Sequence, residues 1–295
     1  MGRRGVARGA GDRKRSERGQ EPVTETVDGG LAELVPDRER PRAWTLLLDG
    51  APQSHVDLDD PAYLSFEYQR RLGHVIDLAA PPGRPLQAVH LGGGAFTLAR
   101  YIAASRPRST QQIVELDAPL VQFVRRELPL DPQARIRVRS MDAREGLGKI
   151  QDGWADLVIA DVFSGARTPA HLTSAEFLAE VRRVLKPGGQ YAANLADGPP
   201  LAHLRGQIAT AASLFPELAL AADPTVWRSR RFGNAVLVAS DLPIAVAELT
   251  RRVAGDPHPG RVEHGRVLAD FTGGAAVVTD AEAKASPAPP PGAFS

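Results

Sequence analysis

Apolar positions between residues 86 and 240 fall into short runs that alternate with stretches of helical periodicity. Short apolar runs are typical of strands buried on both faces, and apolar positions that recur every three or four residues indicate amphipathic helices. The predicted strands are Leu86–Leu91, Gln111–Leu116, Arg135–Arg139, Ala155–Ala160, Gln190–Leu195, Glu217–Thr225 and Phe232–Ser240. The predicted helices between them are Ala95–Ser105, Pro119–Leu128, Ala143–Ile150, Ser174–Leu185 and Leu201–Leu214. This alternation predicts an α/β fold with a seven-stranded, mostly parallel sheet covered by helices on both faces.

The segments on either side of this alternating region predict four parts of the chain. Trp44–Leu48 and Ser54–Leu58 are β runs separated by an Asp49-Gly50 turn signal, and a helical pattern follows over Tyr63–Leu78. After the last strand we expect a helix at Ile244–Val253 and a strand-like piece within Arg266–Val278. The predicted parts are a disordered basic arm (1–42), a small β-hairpin plus helix that forms an N-terminal β appendage (43–82), a nucleoside-binding sheet domain (83–280) and a disordered Ala/Pro-rich tail (281–295).

Composition narrows the classes of function. Lys and Arg number 36 against 35 Asp and Glu, so the balance of charge does not call for nucleic acid or a membrane surface as a partner. The absence of cysteine excludes disulfides and thiolate chemistry, and the histidines lack the spacing of metal ligands. We therefore expect a cytoplasmic protein that acts on a small molecule without a metal.

A glycine turn followed by an acidic residue is the main functional signal. Gly92, Gly93 and Gly94 follow the first predicted strand directly, where they let the backbone approach a ligand closely. Glu115 comes 23 residues after Gly92, near the spacing of about 20 at which nucleotide-binding βαβ units place an acid on ribose hydroxyls. This pairing predicts a Rossmann-like sheet with a nucleoside at the glycine turn.

Further carboxylates follow other predicted strands. In a parallel sheet, ligands lie beyond the carboxyl ends of the strands, where Asp117, Asp142, Asp161 and Asn194 also fall. Asp142 could accept from the exocyclic amine of a base with Ala143 beside it, or it could cap the helix that begins at Ala143. Asp117 is expected to cap the helix at Pro119. Burial would raise the pKa of Asp161, which suits a residue that orients an amine or accepts its proton.

The order of these motifs resembles the spermidine synthase family of polyamine aminopropyltransferases, which is built on a methyltransferase-type sheet. The resemblance covers roughly Gln53 to Ser240, and the stretches that carry it are Gln53-Ser54-His55, LGGGAFTLARY (Leu91–Tyr101), VELDAPLV (Val114–Val121), MDAREGL (Met141–Leu147), DLVIADVFSG (Asp156–Gly165) and LKPGG (Leu185–Gly189).

The resemblance implies a role for each candidate residue. Gln53 would contact the donor, Gly92 to Gly94 would frame its sulfonium arm, Glu115 would bind ribose, Asp142 and Ala143 would bind adenine, and Asp161 would be the catalytic aspartate. The implied co-substrate is decarboxylated S-adenosylmethionine or S-adenosylmethionine, with no metal. The implied reaction moves an aminopropyl group to a small-molecule amine, putrescine or an altered amine, in a possible homodimer. Ser164 stands where the family usually has a second acid.

Two other functions remain open from the sequence. The first is an S-adenosylmethionine-dependent methyltransferase with the same fold. The second is a non-catalytic binding protein that uses the sheet as a scaffold, because a fold does not fix a function. Together, Glu115, Asp142 and Asp161 favour an enzyme over a scaffold, since a scaffold does not need three carboxylates at one edge of the sheet.

Overall fold

The computed structural model describes residues 21–290 of the chain and contains two sheets. The small sheet consists of β1 (Val23–Val27), β2 (Gly30–Pro36), β3 (Ala43–Leu48) and β4 (Ala51–Asp57), which pair antiparallel in chain order. The strands of the large sheet are β5 (Gln87–Leu91), β6 (Thr110–Glu115), β7 (Arg135–Ser140), β8 (Ala155–Ala160), β9 (Leu185–Asp197), β10 (Glu217–Ala222), β11 (Gly233–Ser240) and β12 (Arg261–His264). The helices are α1 (Glu67–Leu78), α2 (Thr97–Ser105), α3 (Ala118–Glu127), α4 (Ala143–Gly148), α5 (Ala175–Val184), α6 (Ala202–Ala212), α7 (Pro224–Trp227), α8 (Val246–Ala254) and α9 (Gly265–Thr272).

The large sheet has the order β12-β10-β11-β9-β8-β5-β6-β7. Strands β9, β8, β5, β6 and β7 are parallel to one another, whereas β11 runs antiparallel to both of its neighbours. This confirms the predicted α/β class with a mostly parallel sheet. Chain order reverses at β5, whose neighbours are β6 and β8, and ligands of open α/β sheets bind at such a point.

The sheet has one strand more than the seven predicted. The additional strand is β12, which pairs antiparallel with β10 at the edge. The prediction of a strand-like piece over Arg266–Val278 is wrong, because α9 occupies Gly265–Thr272. Val267, Leu268 and Phe271 follow helical spacing, and Leu268 is the position of this helix that becomes buried.

Successive side chains of the central strands point to opposite faces of the sheet, and each face packs against its own layer of helices. Val158 of β8 packs with α5 and α6, whereas Leu157 and Ile159 on the opposite face pack with α1, α2 and α8. A third cluster joins the small sheet to α2 and α3 through residues such as Leu46 and Phe123. The same cluster includes Ile113 of β6 and Val138 of β7, so the small sheet is held over the β6–β7 side of the large sheet. Within residues 21–290 no helix has the length and apolar character needed to cross a bilayer.

The prediction of a disordered arm over residues 1–42 needs correction, because β1 and β2 occupy Val23–Pro36. Asp28-Gly29 at their turn is a strong hairpin signal, which the Arg/Gly-rich composition of the preceding residues obscured. The predicted two-stranded appendage is consequently a four-stranded sheet. Residues 1–20 lie outside the described part of the chain.

The prediction of a disordered tail over 281–295 also needs correction for residues 281–290. Ser286 is fully buried, and its N–H donates to the carbonyl of Thr168 at 3.0 Å. The Ala/Pro-rich composition correctly indicates that no helix or strand forms between 281 and 290. It does not exclude an extended segment held by side chains and backbone of the sheet domain. Residues 291–295 lie outside the described residues.

Candidate active site

A cavity of about 610 Å³ lies beyond the carboxyl ends of β5, β6 and β8. Its size is within the usual range for small-molecule sites. All of the candidate residues named from the sequence line it: Gln53, Gly92, Gly93, Gly94, Glu115, Asp142, Ala143 and Asp161. The structure thus brings together side chains from five segments of the chain that are distant in sequence.

The glycine turn requires glycine at its first and last positions. Gly92 has φ +84°, and a Cβ there would lie 2.2 Å from the carbonyl oxygen of Asp161. Gly94 has φ +48°, and a Cβ there would lie 2.5 Å from Ser54 Oγ. Larger residues would therefore clash with neighbouring segments as well as strain the backbone. The turn lets β5, β8 and β4 converge at the floor of the cavity.

Glu115 ties the end of β6 to the glycine turn. Its Oε2 accepts from the N–H of Gly93 at 2.7 Å, and its Oε1 accepts from the N–H of Asp117 at 3.0 Å. A third, longer bond runs from the N–H of Gly94 to Oε2 at 3.4 Å. A carboxylate has about four lone-pair positions, so these three bonds leave capacity for a ligand hydroxyl. The next residue, Leu116, is 66% exposed and lines the same cavity, where it offers an apolar surface.

Asp117 and Asp142 both cap helices, as one interpretation of the sequence anticipated. Asp117 Oδ1 accepts from the N–H of Leu120 at 2.7 Å, while its Oδ2 accepts from the N–H of Gly29 at 2.7 Å and so fixes the β1–β2 turn. Asp142 Oδ1 accepts from the N–H of Arg144 at 2.8 Å. Capping does not exclude a second role for Asp142, because its carboxylate also lines the cavity.

Asp142 also contacts a histidine that the sequence pattern did not single out. His171 Nε2 lies 2.7 Å from Asp142 Oδ2. Burial raises the pKa of Asp142, but the hydrogen bonds from His171 and from the N–H groups of α4 outweigh it, so that the pKa is lowered overall. Asp142 therefore stays ionised at neutral pH.

Asp161 has the opposite electrostatic character. Burial raises its pKa to about 6, even though hydrogen bonds with Asn194 and Tyr68 act in the other direction. Asn194 Nδ2 donates to Asp161 Oδ1 at 2.9 Å. Burial and the Asp161 carboxylate hold the pKa of the Tyr68 hydroxyl well above its usual value, so this hydroxyl keeps its proton. Two carboxylates in one cavity with pKa values moved apart are typical of an acid–base site.

Helix α1 supplies two residues that sequence reasoning missed as site residues. Tyr68 lies within the predicted helix Tyr63–Leu78 and was not named as a site residue. Its hydroxyl donates to the backbone carbonyl of Gln53 at 3.2 Å, and the residue lines the cavity. Gln69 lines the cavity too, is 2% exposed, and its Oε1 has no hydrogen-bond partner among the described residues. A glutamine within an otherwise apolar helix face was the signal available in the sequence.

The charged residues that line the cavity are of one sign. Six carboxylates line it, and no Arg or Lys of the described residues does; the six are Asp28, Asp49, Glu115, Asp117, Asp142 and Asp161. His90, which also lines it, hydrogen-bonds Gln111 at 2.8 Å, and burial lowers its pKa to about 4. The cavity therefore presents a negative potential to a ligand. Among the described residues no cluster of three or more His, Asp or Glu could hold a metal ion.

Comparisons with known proteins give the family. The sequence model of the spermine/spermidine synthase domain matches residues 65–203. The crystal structure of a probable spermidine synthase from Corynebacterium glutamicum ATCC 13032 is similar to this chain at 32% identity, with a TM-score of 0.83 over 88% of this chain and 96% of that chain. A polyamine aminopropyltransferase from Vibrio vulnificus is 31% identical over 116 residues, which make up 39% of this chain and 38% of that protein.

Two further findings show how much of the relatives the similarity covers and which fold the chain shares. Matches to curated polyamine aminopropyltransferases span between 38% and 55% of the length of those relatives. The structure of human methyltransferase-like protein 13 in complex with SAH shares the fold, with a TM-score of 0.50 and 20% identity over 64% of this chain and 89% of that chain. Given 32% identity over 96% of the Corynebacterium structure, the chain belongs to the spermidine synthase family on a methyltransferase-like fold.

Proposed function

We propose that this protein transfers an aminopropyl group from decarboxylated S-adenosylmethionine to a small amine. The observation that carries the proposal is the acidic cavity without Arg or Lys among the described residues. The decarboxylated donor bears a sulfonium and an ammonium and no carboxylate, so it suits this wall. Intact S-adenosylmethionine would have to place its carboxylate among like charges with no cation beside it, which is unfavourable.

The roles proposed for the donor-binding residues follow from their contacts. Glu115 would accept from the ribose hydroxyls with the lone-pair capacity that its bonds to Gly93, Gly94 and Asp117 leave, and Leu116 offers an apolar face beside it. Asp142 and Ala143 would receive adenine, with the carboxylate held ionised by His171. Gln53 and the glycine turn would surround the sulfonium arm. Each of these residues lines the same cavity.

Asp161 is proposed to prepare the acceptor. An amine is nucleophilic only when neutral, and a carboxylate whose pKa is raised to about 6 accepts a proton more readily than an ordinary aspartate does. The amine nitrogen then attacks the propyl carbon next to sulfur. The new C–N bond forms as the C–S bond breaks, and the electron pair of that bond stays on sulfur, which leaves as the neutral thioether methylthioadenosine. The cavity serves chiefly to hold the reactants in line.

The test is a product analysis on the full-length protein. Incubation with decarboxylated S-adenosylmethionine and a panel of amines should release methylthioadenosine together with an aminopropylated amine of matching amount, detected by chromatography and mass spectrometry. Asp161→Asn serves as the control for non-enzymatic transfer. Methylation of an acceptor from S-adenosylmethionine, with S-adenosylhomocysteine as product and no aminopropyl transfer, would contradict the proposal.

A further inference from the structure

The cavity has a distinct side around Asp161, formed by Tyr68 and Gln69 of α1 and by Val162, Phe163 and Ser164 of the loop after β8. We call this the acceptor side. Strand β5 separates β8 from β6, so the ends of the strands that carry Asp161 and Glu115 lie two strand spacings, about 10 Å, apart. A nucleoside held by Glu115 therefore leaves the acceptor side to the second substrate.

The acceptor side contains a single carboxylate, that of Asp161, among the described residues that line it. Glu67 is next to Tyr68 in the chain but does not line the cavity. It lies 3.2 Å from Arg71 Nη2 and 4.0 Å from Arg231 Nη2, so its charge is already balanced. The side chain of Arg71, on the same helix, is itself 1% exposed. A second ammonium on this side would therefore lack a counter-charge.

Gln69 supplies a neutral acceptor in place of that counter-charge. Its side chain is 2% exposed, and its Oε1 is a buried atom without a partner among the residues that the structure describes. Leaving such an atom unpaired is costly, so it calls for a ligand N–H or O–H. Phe163 and Val162 line the remainder of the acceptor side with apolar surface. Ser164 adds a hydroxyl near the opening.

We propose that the acceptor is a primary amine with one cationic nitrogen and an uncharged, hydroxyl-bearing far end, an amino alcohol rather than an α,ω-diamine. The proposal rests on the proposed function. The reacting ammonium pairs with Asp161 and gives up one proton to it before the nitrogen attacks. The hydroxyl at the far end donates to Gln69 Oε1. A diamine would instead bury an ammonium against a neutral amide, which a single amide oxygen stabilises poorly.

The test compares three amines of equal chain length with saturating decarboxylated S-adenosylmethionine: 4-aminobutan-1-ol, putrescine and butylamine. We expect kcat/KM for the amino alcohol to exceed that for putrescine by tenfold or more, with butylamine between them. Gln69→Glu should reverse the preference in favour of putrescine, because it adds the missing counter-charge. Ser164→Asp, at an exposed loop position, is the second variant and should shift the preference in the same direction.

Measurements of nucleoside and donor binding distinguish a failure of the amino alcohol inference from a failure of the proposed function. Calorimetry with methylthioadenosine should give the same affinity for the wild-type protein and both variants, because neither residue faces the nucleoside. If the wild-type protein binds the nucleoside and turns over putrescine best, the amino alcohol inference is wrong while the proposed function stands. If no amine is aminopropylated and decarboxylated S-adenosylmethionine does not bind, both fail.

Discussion

At the scale of single residues, the main feature is an aspartate whose pKa is raised by burial. Asp161 lies beside Asn194 and Tyr68, and its pKa is raised to about 6. Because the carboxylate must be ionised to accept a proton, we expect kcat/KM to rise with pH and level off above an apparent pKa near 6. Measurement of kcat/KM between pH 5 and 8 tests for this rise, the acidic limb of the profile.

Asp161→Asn should remove that limb and lower turnover by about 100-fold or more, the scale of a lost general base. Its affinity for methylthioadenosine should stay within about twofold of the wild-type value, since the change affects the transition state more than the bound nucleoside. An equal loss in turnover and in nucleoside affinity would assign Asp161 to binding or folding instead.

The same pKa has a consequence for stability. The pKa of the Asp161 carboxyl is about 6 in the folded chain and near 3.8 in the unfolded chain, so the folded chain binds this proton more tightly. The protein therefore loses stability as pH rises from about 4 through about 6. Asp161→Asn removes this loss. Without ligand, its stabilisation relative to wild type should be larger at pH 8 than at pH 5 by on the order of 1 kcal/mol.

Urea unfolding at the two pH values measures this difference. The matched control is Asp131→Asn, at an exposed position outside the cavity, which should have the same effect at pH 5 as at pH 8. A stabilisation by Asp161→Asn that shrinks between pH 5 and pH 8 would contradict the raised pKa.

Glu115 was identified from its spacing to the glycine turn, but its bonds to that turn were not visible in the sequence. Glu115→Gln leaves one oxygen for the N–H groups of Gly93 and Asp117 and for the ribose. We expect methylthioadenosine binding to weaken about 10- to 100-fold, or roughly 1–3 kcal/mol, as for a lost hydrogen bond to a charged group. Calorimetry measures this affinity.

Glu145→Gln is the control for Glu115, because it removes the same charge at an exposed position on α4 that does not line the cavity. Its affinity for methylthioadenosine should be close to that of the wild type. If both variants weaken binding equally, general electrostatics rather than contact would account for the effect.

At the scale of elements, the C-terminal segment positions the loop that follows β8. The N–H of Thr168 donates to Ser286 Oγ at 2.9 Å, and Arg167 donates to the carbonyl of Ser286 at 2.5 Å. Asp280 accepts from both Nη atoms of Arg144 at 2.8 Å, beside the Asp142 end of the cavity. The segment therefore connects two walls of the cavity.

Ser286→Ala should destabilise the protein by about 1–3 kcal/mol, because it leaves a buried N–H of Thr168 unpaired. Hydrogen exchange of residues 162–169 should increase while that of β5 is unchanged. Ser213→Ala, which removes an exposed serine hydroxyl bonded to Thr210, should change stability by less than about 0.5 kcal/mol. Equal stability of the two variants would argue against a structural role for the tail.

The elements also show where sequence patterns were sufficient. The strands from Leu86 to Ser240 and the longer helices between them follow from apolar periodicity. The predicted strand Glu217–Thr225 is too long, because β10 ends at Ala222 and the short helix α7, capped by Asp223, takes up Pro224–Trp227.

The strands at Val23–Pro36 have a hairpin signal that the composition of the preceding residues obscured. The packed tail near Ser286 has no such signal, because contacts with distant parts of the chain hold it in place. Gln69 and His171 were not predicted as site residues, since tertiary packing brings Gln69 into the cavity and His171 to Asp142.

At the scale of the whole molecule, the net charge does not reveal where the charged residues lie. The formal net charge of +1 gave no indication of a partner. The structure concentrates six carboxylates around one cavity and leaves Arg and Lys of the described residues elsewhere. This separation supports a cationic donor, and it arises because strand ends from β5, β6 and β8 and the turns of the small sheet meet at one place.

Calorimetric titration of the purified protein with decarboxylated S-adenosylmethionine and, in parallel, with S-adenosylmethionine tests the central claim most directly. The two donors differ by one carboxylate, the group that the cavity wall disfavours. The account predicts at least tenfold tighter binding of the decarboxylated donor, with the difference reduced at high salt because it is electrostatic. Equal affinities, or tighter binding of intact S-adenosylmethionine, would contradict it.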